Sequence, residues 1–220
     1  MLRAGAAAGR TEGMSAHDGI EIERKYDVGE DAVVPSLTGV AGVASVRDGG
    51  TALLDAIYLD TEGRELLPQR VVVRRRVGGH DAGWHIKSAE GDVRHEQQWP
   101  LGDADREPEE LRARIATRLR EPAAPLVPLA RLVTTRTTLI LLDAEGGAVA
   151  EVADDRVTAV EDATGEERSW REWEVELLDA APEGADADGG LLDAVQTELL
   201  AAGARPSSSV AKIARALGLG

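Results

Sequence analysis

Glutamate, arginine and lysine recur in this chain at a spacing of two. Glu21, Glu23 and Lys25 open the pattern; Arg74 with Arg76, His85 with Lys87, and Glu172, Glu174 and Glu176 continue it. Positions i and i+2 of a β-strand share a face, about 6.5–7 Å apart, so each set points one way. Trp173, Val175 and Leu177 form the apolar reverse of the glutamates, Val71, Val73 and Val77 back the arginines, and Trp84 and Ile86 back Lys87. Carboxylates suit a hard divalent cation, whereas arginine forks and lysine ammoniums suit phosphate oxygens. Taken singly, each face reads as the wet side of a one-sided antiparallel sheet. Two features point elsewhere. Some faces carry a single sign, although like charges on neighbouring positions repel, and the pattern recurs on at least four strands. With helices over the apolar side, these charges share an interior, where unpaired burial is prohibitive. A divalent cation and a polyanion together would satisfy both signs.

The elements that must position these residues are mostly short strands. Alternation and β-branched content predict them at Ile20–Tyr26, Leu53–Asp60, Val71–Val77, Trp84–Lys87, Val93–Trp99, Leu132–Leu142, Ala148–Asp154 and Trp170–Leu178. Glycine-rich turns are expected after Val77 and at 143–147. Three stretches read as helix. Glu107–Arg120 starts acidic and ends basic, Leu191–Ala202 stops at Gly203, and Ser209–Leu217 opens on a capping serine and stops at Gly218. A proline-rich connector (121–128) and an acidic loop (180–190) separate them.

The 220 residues fit one domain, and 43% hydrophobic content permits a packed core, built from Val, Leu, Ala and Ile because Phe is absent. Absence of cysteine excludes disulfides, thiolate metal sites and cysteine nucleophiles, and fits a cytoplasmic protein. A net charge of -15 argues against broad nucleic-acid binding, but leaves room for a local basic cluster inside an acidic protein. Residues 1–16 read as a mobile tail with Met14 as a second possible start, and 17–220 as a single domain. No signal peptide or membrane span is expected.

The order of the charged segments resembles the CYTH family, the triphosphate tunnel metalloenzymes. Glu21-Ile22-Glu23-Arg24-Lys25 is similar to the family's opening Glu-x-Glu-x-Lys strand, Tyr58-Leu59-Asp60-Thr61 to its Tyr-x-Asp-Thr segment, and Val73-Arg74-Arg75-Arg76 to its Leu-Arg-x-Arg strand. Trp84-His85-Ile86-Lys87 resembles the lysine strand, Arg94-His95-Glu96 the strand with a tunnel glutamate, and Thr134-Thr135-Arg136 the arginine strand. Glu151-Val152-Ala153-Asp154 resembles the aspartate strand, Glu174-Val175-Glu176 the second acidic pair, and Ser209-Val210-Ala211-Lys212 the C-terminal helix start. The resemblance runs from Ile20 to Leu217 in the family's order.

That resemblance implies an α+β fold: a closed antiparallel β-barrel of about eight strands, flanked by helices, forming a charged tunnel. It implies Mg²⁺ or Mn²⁺ held by Glu21, Glu23, Glu174 and Glu176, with Asp154 and Glu96 as further ligands. Lys25, Arg74, Arg76, Lys87, Arg136 and Lys212 are the implied phosphate binders, and Glu23, Lys87 and Lys212 the implied catalytic residues. Parity sends Arg75 and Asp155 to the opposite face from Arg74 and Asp154; Arg131 reads equally as tunnel residue or exposed charge. The implied reaction is hydrolysis of inorganic triphosphate or short polyphosphate, with Glu23 positioning the attacking water. Thiamine triphosphatase and class IV-type adenylate cyclase are the enzymatic alternatives, and a polyphosphate-binding module the non-enzymatic one. Expected partners are a triphosphate-containing small molecule or polyphosphate, without nucleic acid or membrane, and with a homodimer left open. Relatives often continue into a histidine-rich helical CHAD domain, which this sequence is expected to lack. Mutual repulsion of Glu174 and Glu176 predicts that Glu174→Gln leaves the metal-free protein as stable or more so.

Overall fold

The computed structural model describes residues 17–90, 93–102, 106–209 and 211–219. The proposed tail at 1–16 and Val210 of the C-terminal motif lie outside the described residues. The strands are β1 (His17–Glu21), β2 (Glu23–Asp27), β3 (Ser45–Asp60), β4 (Val71–Val77), β5 (Gly83–Glu90), β6 (Val93–Trp99), β7 (Val127–Leu142), β8 (Ala148–Glu161), β9 (Glu167–Leu177) and β10 (Arg205–Pro206). The helices are α1 (Glu109–Ala116), α2 (Leu191–Ala201) and α3 (Lys212–Ala216).

The strands form one ten-stranded sheet in the order β1-β6-β5-β4-β3-β7-β8-β9-β2-β10, antiparallel at every pairing. The expected closed barrel is corrected here: the hydrogen-bond ladder ends on β1 and β10 and does not close. The reason lies at Ile22. A strand predicted as one unit splits there, so that β1 pairs with β6 while β2 pairs with β9. One continuous stretch of chain thus joins the opposite ends of the sheet covalently, without a ladder between β1 and β2. β3 and β7 pair over most of their 16 residues, far beyond the predicted 53–60 and 132–142, and bulges at 48–50 and 58–59 bend the pair.

Alternation decides what each face packs against. On β4, Val71 and Val73 face outward with Trp84, Ile86 and Trp99 and are covered by Leu111 and Ile115 of α1. Tyr26, Val152, Trp173 and Val175 form a second outer core under Leu191, Leu192, Val195 and Leu199 of α2. Each of these fully buried aliphatic side chains contributes about 1.5–3 kcal/mol. The third helix packs on the other face. Ile213, Ala216 and Leu217 sit on Ala56, Tyr58, Leu132, Val157 and Ala159, so the inner face of the long strands is apolar at one end and charged at the other.

The predicted capping serine is also corrected. Ser209 hydroxyl donates to the Ala211 carbonyl (3.1 Å), and α3 starts at Lys212 with no side-chain cap. What fixes α3 instead is tertiary: Arg215 pairs with Asp27 and lies over the Trp170 ring (5.1 Å), and Arg168 donates to the Ala216 carbonyl (2.7 Å). Among the described residues no helix is long and apolar enough to cross a membrane.

Candidate active site

The inner faces of β1 to β9 and the start of α3 enclose a cavity of about 600 Å³. Its basic wall is Arg74 and Arg76 on β4, Lys87 on β5 and Arg136 on β7; its acidic wall comes from β1, β2, β6, β8 and β9. Register sets the acidic wall out in rows. Glu23, Glu176 and Glu151 stand side by side across β2, β9 and β8; Lys25, Glu174 and Ala153 form the next row, and Asp27, Glu172 and Asp155 the third.

Two acidic clusters result, and they differ in counter-charge. Across the second and third rows, Asp155, Glu172 and Glu174 bring carboxylate oxygens within 4.8 Å of one another. Lys212 Nζ sits among them, 3.0 Å from Asp155, 2.6 Å from Glu172 and 2.7 Å from Glu174. Arg136 reaches the same group, with 2.8 and 2.6 Å bonds to Asp155 and one of 2.6 Å to Glu174. Burial alone would lower the Lys212 ammonium, but Glu174, Asp155 and Glu172 outweigh it and hold the group well above the ordinary lysine range. In the first row, Glu23 bonds Lys25 (2.8 Å) and Arg94 (2.5 Å), whereas no salt bridge or side-chain hydrogen bond reaches Glu176 or Glu151 among the described residues. Burial first, then the charges of Glu23 and Glu174 against the attraction of Lys87, push the Glu176 carboxyl up. Hard, partly buried oxygens short of positive charge fit a Mg²⁺- or Mn²⁺-sized cation. Glu151 and Glu176, with Glu23 beside them in register, are the candidate ligands.

Across the cavity, Glu21 accepts two bonds from Lys87 (2.6 and 2.8 Å), whose ammonium also lies 3.6 Å from Glu96. Burial, partly offset by Lys87 and reinforced by Glu96, pushes the Glu21 carboxyl up to about 7. Glu96 also meets His85 Nδ1 at 2.8 Å and Arg74 at 3.4 Å. His85 is fully enclosed; burial pushes its imidazole down to about 4 despite the Glu96 hydrogen bond, so the ring is neutral at pH 7. Tyr58 is buried against Arg74, whose charge outweighs burial and lowers the phenol. Burial, together with Arg74 and Arg136, pushes the Arg76 guanidinium down to about 9, the mark of crowded cations.

The structure brings Glu21, Glu23, Lys25, Arg74, Arg76, Lys87, Glu174 and Glu176, which share strand faces by spacing, into one cavity with Glu96, Arg136 and Lys212, which the family resemblance implied. Asp154 is the correction. Its carboxylate points out of the cavity and takes two bonds from Arg171 (2.8 and 2.7 Å), while Asp155 faces inward. Parity with Glu151, four residues before Asp155, marks the inward face, because positions 151 and 154 cannot share one. Arg131 lies outside the cavity, paired with Asp55. Glu151, Asp155, Glu172, Arg94 and Tyr58 are lining or cluster residues that were not assigned roles. Glu172 and Arg94 stand at i−2 from Glu174 and Glu96, so their placement was readable. Asp60 does no chemistry: its oxygens accept from the backbone of Thr61 (2.7 Å), Leu66 and Leu67 (both 2.9 Å), fixing the turn after β3.

The CYTH domain model matches residues 19–201. The chain belongs to the CYTH family. Two uncharacterised proteins of Mycobacterium tuberculosis, from strains CDC 1551 and H37Rv, are each 41% identical over 211 residues, covering 90% of this chain and 40% of theirs. The chain therefore spans about two-fifths of the length of the curated relatives it matches. Among solved structures, a candidate adenylate cyclase of Bacillus halodurans superposes with a TM-score of 0.53 at 19% identity, covering 90% of this chain and 97% of that one. A candidate adenylyl cyclase of Hippeastrum with a dominant triphosphatase activity gives 0.50 at 17% identity, with 90% and 95% covered. At these identities the likeness concerns the fold. CYTH proteins are often triphosphatases or cyclases and the family is metal-dependent, and an acidic cluster of Asp155, Glu172 and Glu174 is present in this domain.

Parity gives a direct test of the basic wall. Arg74→Ala or Arg76→Ala should weaken phosphate binding and turnover by about a hundredfold, the scale for a lost charge-stabilising donor. Arg75→Ala, on the outer face beside Trp84, should change either by less than about threefold. Steady-state kinetics on triphosphate checks this, and Arg75→Ala as the most damaging of the three would reverse the strand register.

Proposed function

We propose that this CYTH domain hydrolyses inorganic triphosphate or short polyphosphate with Mg²⁺ or Mn²⁺. The observation that carries the reading is one cavity in which Arg74, Arg76 and Arg136 face acid rows whose Glu151 and Glu176 take no salt bridge or side-chain hydrogen bond among the described residues. The Hippeastrum neighbour's triphosphatase activity supports it.

A bound divalent cation would supply charge neutralisation of the phosphates and a more acidic water. The chain's residues do the remainder. Arg74, Arg76 and Arg136 hold the phosphoryl oxygens, Glu23 stands beside the proposed cation ligands to position water, and Lys87 and Lys212 present ammoniums to developing negative charge. Glu172 and Asp155 hold Lys212 in place. Localisation in the cytoplasm and action on a soluble polyanion remain part of this proposal.

Phosphate release across triphosphate, ATP and thiamine triphosphate tests the reading. Triphosphate should be the fastest, turnover should vanish in chelator while the melting transition persists, and Ca²⁺ should inhibit because its longer, looser coordination suits the site poorly. Because Glu21 has to lose its proton before it helps neutralise a cation, Mg²⁺ affinity measured by calorimetry should rise with pH through about 7 and flatten in Glu21→Gln. Robust triphosphate turnover in metal-free buffer, or a cyclic nucleotide as main product from ATP, defeats the proposal.

A further inference from the structure

The turn between β4 and β5 holds one carboxylate in a fixed place. Gly78 (φ +82°) lies so close to Leu53 that a Cβ would stand 2.0 Å from its carbonyl oxygen, and a Cβ on Gly83 would stand 2.3 Å from that of Trp99. Only glycine fits at either end, so both ends of the turn are pinned against neighbouring backbone. Between them the Asp81 carbonyl oxygen lies 3.0 Å from His85 Nε2. The Asp81 side chain turns back into the cavity and its carboxylate meets Arg76 Nη2, which makes no hydrogen bond of regular geometry.

This carboxylate differs from the others that meet the basic wall. Glu96, Asp155 and Glu174 stand on sheet strands, whereas Asp81 stands on the turn at the cavity rim. Its side chain is 29% exposed, against 4% for the guanidinium it covers. Rotation about two side-chain bonds on a pinned backbone moves it from Arg76 to solvent. Arg76 is buried and crowded by Arg74 and Arg136, so an anion beside it relieves the cost of its charge. A carboxylate and a phosphate present the same paired oxygens to a guanidinium fork.

Building on the triphosphatase reading, we propose that Asp81 is a built-in competitor for phosphate: its carboxylate occupies Arg76 until a phosphate group displaces it, and retakes Arg76 when product leaves. The competitor weakens binding of every anion that reaches Arg76, and it limits retention of the shorter products of hydrolysis.

Asp81→Asn and Asp81→Ser remove the charge in two ways, and binding of inorganic pyrophosphate and triphosphate is measured by calorimetry in chelator, without turnover. Both anions should bind about two- to fivefold more tightly to the variants, the span of a partly exposed ion pair. In kinetics with Mg²⁺, KM should fall without a rise in kcat, and inhibition by pyrophosphate should strengthen. A residue that merely orients Arg76 gives the reverse sign, so unchanged or weaker anion binding in both variants overturns the proposal. Tighter binding without any triphosphate hydrolysis keeps the competitor and removes the hydrolase reading instead.

Discussion

Glu174→Gln is expected to lower the melting temperature of the metal-free protein by about 10 °C and to reduce triphosphate turnover at least about a hundredfold. This reverses the expectation drawn from strand spacing, in which two glutamates on one face repel and removing one is harmless. In the structure Glu174 is the meeting point of three cations: it accepts from Lys25, from Lys212 at 2.7 Å and from Arg136 at 2.6 Å. Burial would raise its carboxyl, but Lys212, Lys25 and Arg136 hold it well below the ordinary range. Removing one partner from a buried ionic group costs about 3–5 kcal/mol, because the opposite charges stay buried. The loss sits at the low end here, since Lys25 keeps Glu23 and both Arg136 and Lys212 keep Asp155. A chain of this size loses about 2–4 °C per kcal/mol.

Glu176→Gln should behave oppositely, although it lies two residues away on the same face. Its neighbours in register are Glu23 and Glu151, and burial has raised its carboxyl. Neutralising it should leave the metal-free protein equally or more stable at pH 7. The pH dependence follows from the two directions. A depressed carboxyl stabilises the fold above its unfolded value of 4.5 and loses that contribution as pH falls through the folded value. Wild type and Glu174→Gln should therefore converge in acid. A raised carboxyl penalises the fold only above the unfolded value of 4.5, so any gain from Glu176→Gln should vanish below that pH. Thermal melts in chelator from about pH 3 to 8 check both signs; equal melting of Glu174→Gln and wild type at neutral pH would detach Glu174 from its three cations.

What was legible in the sequence is what period two encodes. Glu21, Glu23, Lys25, Arg74, Arg76, Lys87, Glu174 and Glu176 reach one cavity because alternation is a property of the single strand, readable without knowing its neighbours. Asp154 was misplaced for the same reason: two adjacent aspartates differ only by parity, and a one-residue error exchanges the faces. Ladder closure was not legible. Whether β1 pairs on one edge or two depends on a break at Ile22 that leaves the hydrophobic pattern unchanged. Energetic signs were not legible either, because the cations around Glu174 come from β2, β7 and α3, brought together by register rather than by spacing in sequence. The same holds for α3, which the pattern marks as a helix but cannot place on the inner face.

That placement makes Lys212 the residue whose loss should change the protein's relation to metal. Its ammonium is 12% exposed and stands among Asp155, Glu172 and Glu174, as the cation of a cluster built like a metal site. Lys212→Ala leaves three carboxylates within 4.8 Å of one another, with Arg136 still bound to two of them. Their repulsion should lower metal-free stability by about 3–5 kcal/mol, or roughly 10 °C. The helix itself should stay docked, because Ile213, Ala216 and Leu217 are buried and Arg215 keeps Asp27. The vacated position then suits a hard divalent cation, so added Mg²⁺ or Mn²⁺ should raise the melting temperature of Lys212→Ala more than that of wild type. Turnover should fall by about a hundredfold or more even when metal restores stability, since a cation at the Lys212 position neutralises the acids without presenting an ammonium to phosphate. Lys212→Arg keeps the charge and should need no such rescue for stability. Melts with and without metal, beside a phosphate-release assay, separate these effects. Metal-independent melting of Lys212→Ala at the wild-type temperature would mean that the three carboxylates neutralise themselves by taking up protons, and that Lys212 is not their counterion.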